Sequence, residues 1–192
     1  MSGANKEYMK TLAEIYLPVE QQLINELFTS ILYEIKEKKK IAFLDQENNP
    51  KDEFLEYFLF TDDGISFNRR GGNKSKDKAT FEEIKEAIKL AFRSGEELTR
   101  TGFSKMHGKA NFAGTPMYLF LNVVVDEIKK RRIIGTEVIH QTFGKGIITN
   151  IEPQKEFVRF MFGDENKMVS MAYFLLNKDD EHRIVNLLSA VE

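Results

Sequence analysis

The chain of 192 residues contains no cysteine and no tryptophan, and only 4 of its residues are proline. Without cysteine there can be no disulfide framework, no thiolate metal site and no cysteine nucleophile. The sequence also lacks a Gly-x-x-x-x-Gly-Lys-Ser/Thr segment, which excludes the phosphate-binding loop of ATP-driven motors. What is present is 42% hydrophobic and 30% charged residues, the composition of a folded globular protein.

Long apolar runs are missing as well. The longest nearly apolar stretch, Met117–Val125, is too short to span a bilayer, and the polar first residues do not resemble a secretion signal. We therefore expect a cytoplasmic protein that does not enter a membrane. The net charge is −2, with +1 over residues 1–132 and −3 over residues 133–192. This balance is not typical of a protein whose overall charge binds nucleic acid.

Residues 1–132 predict helices packed against a small antiparallel sheet. Apolar side chains recur at steps of three and four over residues 8–39, and Pro18 lies inside the pattern, so we expect a kinked helix or two helices. A short strand follows, and Asp62–Gly64 between two β-prone runs indicates a hairpin. We interpret the next segment, Arg69–Lys78, as a flexible basic loop.

Thr80 and Glu83 have the spacing of a capping box at the start of a second long helix. Leu98–Gly114 has no sustained period and predicts an irregular connection, after which Thr115-Pro116 opens one last helix. From Ile133 the period becomes strand-like. We therefore predict an α+β protein with a first domain at residues 1–132 and a second at residues 133–192.

The second domain contains four strand candidates separated by turn-forming residues and followed by a closing helix. The positions that define its pattern are Gly135, Val138, His140, Phe143, Gly144, Gly146, Ile148, Ile151, Val158, Phe160, Phe162 and Lys167. Over residues 135–176 this pattern resembles the SH3-like, Tudor-like barrel of UvrD/PcrA-type repair helicases and of CarD-type transcription factors. The resemblance implies an SH3/Tudor-like β-barrel that binds a protein partner in the transcription or repair machinery. It implies no cofactor.

The third strand candidate, Phe157–Phe162, points to the binding residues. Alternation along a strand places Phe157, Arg159 and Met161 on the outer face. Such a face is either covered by the N-terminal half of the chain or forms a contact with a protein partner or a second copy. The leading hypothesis is accordingly a non-enzymatic interaction protein that binds through these three side chains.

Two alternatives stay open. A nucleic-acid-associated protein would contact phosphates through the basic loop, whose cationic side chains are Arg69, Arg70, Lys74, Lys76 and Lys78. A hydrolase would have its site near His107, in a segment with nearby glycines. We expect no metal site, because His107, His140 and His182 lack the spacing of metal ligands.

Overall fold

The protein has a mixed α+β fold, as the sequence predicts. The computed structural model describes residues 9–45, 49–70, 75–106, 114–152 and 155–189. The helices in these residues are α1 Leu12–Lys38, α2 Phe81–Arg93, α3 Arg100–Met106, α4 Gly114–Asn122, α5 Val125–Arg131 and α6 Lys178–Leu188. The strands in the same residues are β1 Lys10–Thr11, β2 Lys40–Leu44, β3 Pro50–Phe60, β4 Gly64–Arg70, β5 Ser75–Thr80, β6 Glu137–His140, β7 Gly144–Ile151, β8 Phe157–Phe162, β9 Glu165–Ser170 and β10 Leu175–Leu176. None of the helices in the described ranges has the length and apolar character needed to cross a bilayer.

The contacts divide the chain into two units that are both discontinuous in sequence. Unit 1 takes the residues up to Gln22, residues 93–95 and the residues from Arg131 onwards. Unit 2 takes residues 23–92 and 96–130. The units therefore differ from the two domains predicted from the sequence, because the beginning of α1 belongs with the C-terminal sheet.

Helix α1 runs through Pro18 from Leu12 to Lys38 as a single helix, so of the two expected alternatives the division into two helices does not occur. Its first turn has a capping box that the sequence analysis missed. The Glu14 carboxylate accepts from the Thr11 amide at 2.7 Å, and the Thr11 hydroxyl accepts from the Glu14 amide at 3.2 Å. These bonds satisfy donors that a helix N-terminus otherwise leaves open.

Unit 2 contains a four-stranded antiparallel sheet in the order β2-β3-β4-β5. The predicted hairpin at Asp62–Gly64 is confirmed: Phe60 lies opposite Ile65, and the Thr61 amide donates to the Gly64 carbonyl at 2.9 Å. The sheet packs its apolar side into an aromatic core in which the Phe67 and Phe120 rings meet edge to face, 5.6 Å apart.

The prediction of a flexible basic loop over residues 69–78 is wrong for most of that segment. Strand β4 continues to Arg70 and β5 begins at Ser75, and Lys76 and Lys78 lie opposite Asn68 and Ser66 in the ladder. The physical reason is that strand pairing within the sheet overrides the weak β-propensity of lysine, aspartate and serine. Lys74 lies outside the described residues.

One prediction about the helices of unit 2 is confirmed, and two others differ from the structure. The capping box is confirmed, since the Thr80 amide donates to Glu83 at 2.7 Å and the Glu83 amide donates to the Thr80 hydroxyl at 3.1 Å. The connection predicted to be irregular contains α3, and the last helix is interrupted between Asn122 and Val125 to give α4 and α5. Valine at 123 and 124 is a weak helix former, which is consistent with a break there.

Unit 1 is built around an antiparallel meander in the order β6-β7-β8-β9. The four strands match the predicted ones closely, but the sheet stays open and does not close into a barrel. A separate pair, β1 with β10, joins the start of the described chain to its end, with Lys10 opposite Leu176. The expected closing helix is α6, capped by Asn177, whose side chain accepts from the Asp180 amide at 2.9 Å.

A buried ion pair ties together the three segments of unit 1. Arg93 donates from Nε to Oε1 of Glu20 at 2.7 Å and from Nη2 to Oε2 at 2.5 Å, and both side chains are less than a tenth exposed. The Tyr16 hydroxyl donates to the same carboxylate at 2.7 Å, and Arg93 Nη1 donates to the Glu152 carbonyl at 3.2 Å. Burial and the neighbouring Glu20 carboxylate raise the pKa of Tyr16 well above its usual range.

Candidate protein-binding surface

The outer face of the meander carries the three residues that the sequence analysis selected. Along β8, Val158 and Phe160 are fully buried, whereas Phe157 is 36% exposed and Met161 is 40% exposed. Arg159 lies between them on the exposed side. Strict alternation along β8 therefore gives the orientation predicted from the sequence.

Neighbouring strands extend this surface with residues that the sequence analysis missed. Met161 lies directly opposite Ile147 on β7, and Met168 on β9 lies opposite Arg159. Ile139 on β6 is diagonal to Ile147, because its direct partner is Lys145. Side chains that face one another across an antiparallel pair share a face of the sheet. We call the set Ile139, Ile147, Phe157, Met161 and Met168 the outer apolar face; its side chains are 36 to 55% exposed.

The charges around the outer apolar face are paired with each other. Lys145 binds Glu137 at 2.7 Å, and Arg159 binds Glu152 at 3.2 Å. Both bridges are largely solvent-exposed, so each contributes little to the stability of the fold. The four charges leave the surface close to neutral, which suits contact with another apolar surface better than contact with a polyanion.

The inner face of the meander is an aromatic cluster around His140, which is only 4% exposed. The His140 ring stacks on Phe143 with centroids 4.7 Å apart and meets Phe174 edge-on at 5.0 Å. Its Nδ1 accepts from the amides of Thr142 and Phe143 at 3.0 and 3.2 Å. Because Nδ1 accepts twice, the proton of the neutral ring is on Nε2. Burial lowers the pKa of His140 below its usual value of 6.5, so this histidine is neutral and structural at pH 7.

Gly146 on β7 leaves no room for a side chain against β8. A Cβ atom at this position would lie 2.4 Å from the Met161 carbonyl oxygen and 2.5 Å from Cζ of Phe160. Any side chain here would push apart the strands that bring Ile147 and Met161 together. A glycine is required at position 146 by space and not by its backbone angle.

The basic residues selected in the sequence lie in unit 2 and are mostly paired. Arg69 binds Glu53 at 3.2 Å and stacks over Phe43, with its guanidinium carbon 4.6 Å from the ring centroid. Two further ion pairs join Arg70 to Glu56 and Lys78 to Asp63. Lys76 is exposed on β5. Most of the positive charge in this hairpin is therefore compensated within the sheet.

The remaining candidates are His107, His182 and the acidic side chains. His107 and the segment around it lie outside the described residues. Within the described ranges no three histidine or acidic side chains come together as a metal site. His182 lies exposed on α6, and Asp63 caps the β3–β4 turn through the Thr61 hydroxyl at 2.9 Å.

No protein-family model, no curated protein and no solved structure matches the chain. The resemblance to the helicase and transcription-factor barrels therefore depends on the sequence pattern of residues 135–176 alone.

Proposed function

We propose that the protein is a non-enzymatic interaction protein whose C-terminal sheet binds a protein partner through the outer apolar face. The observation that carries this proposal is the clustering of five exposed apolar side chains on one side of a single sheet. Scattered exposed apolar residues are ordinary, whereas a contiguous group in register across four strands is typical of an interaction site.

Exposed apolar side chains of this kind can supply binding energy. Burying apolar surface contributes about 25 cal/mol per Å², and a few well-packed side chains supply most of the affinity of an interface. Phenylalanine, methionine and arginine are residue types enriched at such interfaces. Phe157, Arg159 and Met161 thus form the centre of the proposed contact, with Ile147 and Met168 beside them.

The partner class is the transcription or repair machinery, which the resemblance to SH3/Tudor-like barrels implies. Support comes from the inner positions of that pattern, since Val138, Ile148, Val158 and Phe160 are all buried in the meander. An open four-stranded meander is compatible with a reduced form of such a barrel. Binding to RNA polymerase is therefore the first interaction to test.

The nucleic-acid hypothesis gains no support from the geometry and stays a prediction. Arg69, Arg70 and Lys78 are already paired with carboxylates, so phosphate binding would have to break those pairs. A salt titration of DNA and RNA binding distinguishes the hypotheses, because phosphate contacts make affinity fall steeply with salt.

The test compares the full-length chain with a Met161→Glu/Met168→Glu variant, with purified RNA polymerase and a nuclease-treated native lysate as the sources of partner. We expect the two charges to weaken partner binding at least about tenfold, since each is placed in an apolar contact. Tyr33→Glu is the matched control, because Tyr33 is 62% exposed but lies on α1 in unit 2. The same proteins retained by wild type and double variant would contradict the proposal, and a dimer dissociated by the substitutions would identify a second copy as the occupant.

A further inference from the structure

Unit 2 contains a pocket of about 440 Å³ between the last turn of α1 and strand β3. Its wall on the helix side is formed by Ile35, Lys36 and Lys39, and its wall on the strand side by Glu56, Tyr57, Phe58 and Phe60. Pockets that bind small molecules commonly have about 300–1,000 Å³ and mostly apolar walls with a few polar groups. This pocket has the size and the composition of such a site.

The backbone on both sides of the pocket is held in a left-handed conformation. Tyr57 has φ of 55°, in the middle of a strand, and Lys39 has φ of 54° just after α1. Residues other than glycine rarely adopt this backbone region, because their Cβ atom comes too close to the following carbonyl oxygen. Glycine would fit both positions at lower conformational cost, so a tyrosine and a lysine at these positions each carry a backbone penalty.

A bulge interrupts the pairing of β3 with β4 at Tyr57, one of the residues that line the pocket. Glu56 is opposite Asn68 and Leu59 is opposite Ser66, so β3 has one residue more than β4 over this stretch. Tyr57 is 64% exposed and contributes nothing to the core. By contrast, the Phe58 ring is fixed from behind, 6.2 Å from the Phe67 ring and 6.5 Å from the Phe120 ring. The pocket therefore combines a rigid aromatic wall with an exposed aromatic edge.

The charge at the pocket is positive. Lys38 pairs with Glu34, whereas Lys36 and Lys39 have no carboxylate partner among the residues that the structure describes. Lys36 lies with Nζ 5.0 Å from the Phe60 ring centroid, and the carboxylate of Glu56 is neutralised by Arg70. The end of α1 contributes a partial charge of only about −0.5, which two lysines outweigh.

We propose that this pocket binds a small anionic molecule that carries an aromatic ring. The ring stacks among Tyr57, Phe58 and Phe60, and the anionic group pairs with Lys36 and Lys39. The two sources of this chemistry are an aromatic carboxylate and a nucleotide. The site is independent of the outer apolar face, which belongs to unit 1.

The probes are 2-naphthoate, the neutral 2-naphthalenemethanol, acetate and AMP, titrated into the ¹⁵N-labelled full-length protein and followed by chemical-shift changes. We expect 2-naphthoate to shift residues of α1 and β3 around the pocket and to bind at least about tenfold more tightly than the neutral alcohol, with no saturable binding of acetate. Tighter binding of AMP than of 2-naphthoate assigns a nucleotide as the ligand, and the reverse order assigns an aromatic carboxylate.

Two substitutions to glycine separate binding from folding. Tyr57→Gly and Lys39→Gly both relax the left-handed backbone, so neither lowers the melting temperature. Tyr57→Gly weakens 2-naphthoate binding at least about tenfold. Lys39→Gly weakens the binding of 2-naphthoate but not the binding of the neutral alcohol. His182→Asn, at an exposed position in unit 1, is the control and leaves the affinity for 2-naphthoate unchanged. Equal affinity for the acid and the alcohol, shifts confined to other residues, or unchanged binding by Tyr57→Gly would each overturn the proposal.

Discussion

Replacing Glu20 by glutamine should lower the free energy of unfolding by about 3–5 kcal/mol, the usual result of removing one partner of a buried ion pair. Glu20 accepts two bonds from Arg93 and one from Tyr16. In Glu20→Gln the amide group meets a guanidinium N–H, so at least one charge-assisted bond worth about 1.5–3 kcal/mol is lost. The buried positive charge of Arg93 then faces a neutral amide and the Glu152 carbonyl in place of a carboxylate.

Removing both charges should be far less harmful than removing one. A Glu20→Met/Arg93→Met variant has no uncompensated charge, so its main remaining cost is the buried Tyr16 hydroxyl without an acceptor, about 1–3 kcal/mol. Adding Tyr16→Phe should restore most of that loss. Wild type and the triple variant Tyr16→Phe/Glu20→Met/Arg93→Met should therefore be the most stable. The double variant should be less stable than these two, and Glu20→Gln should be the least stable.

Urea unfolding followed by far-ultraviolet circular dichroism measures these differences, which suits a chain without tryptophan. The control is Glu34→Gln, which breaks the exposed α1 pair with Lys38 and should cost less than about 0.5 kcal/mol. A Glu20→Gln protein within about 1 kcal/mol of wild type, or a double variant less stable than Glu20→Gln, would refute the reasoning.

Two further predictions concern the meander. Because burial lowers the pKa of His140, the free energy of unfolding should fall as the pH drops below 6.5, by up to about 1.4 kcal/mol per pH unit until the lowered pKa is passed. Urea unfolding from pH 7.5 to 5 should show this loss in wild type and in the control His182→Asn. It should be absent in His140→Asn, whose side chain keeps an acceptor for the Thr142 and Phe143 amides. Gly146→Ala should lower the melting temperature more than Gly135→Ala, because a Cβ at position 146 overlaps the Met161 carbonyl oxygen. A Cβ at position 135 meets no atom, so Gly135→Ala has only the cost of a positive φ of 88°, about 1–2 kcal/mol. Equal melting temperatures of the two variants would contradict the steric account.

Local signals in the sequence predicted much of the fold. The Thr80/Glu83 capping box and the Asp62–Gly64 turn depend on neighbouring residues, and both are present as expected. Alternation along β8 predicted the outward direction of Phe157 and Met161 for the same reason. Both partners of such a local interaction lie within a few residues of each other, so a single sequence is enough to predict it.

Long-range pairings could not be read in this way. The strands at residues 69–70 and 75–78 form because a partner strand is available, and nothing in Lys76 or Lys78 indicates it. Ile139, Ile147 and Met168 join the binding surface only through the register of four strands. The left-handed Tyr57 depends likewise on a bulge set by the pairing of β3 with β4. Each of these features requires knowledge of which strands are neighbours.

The pairing of β1 with β10 has a consequence for the order of events at the ribosome. Lys10 and Leu12 are synthesised well before the residues that they bind, because Lys10 pairs with Leu176 and the Leu12 amide donates to the Phe174 carbonyl. Unit 2 ends near Lys130 and can be complete before that. Nascent chains should therefore expose the apolar start of α1 until β10 has been synthesised. Chaperones that bind short apolar segments would find a target in the first turns of α1 during this interval.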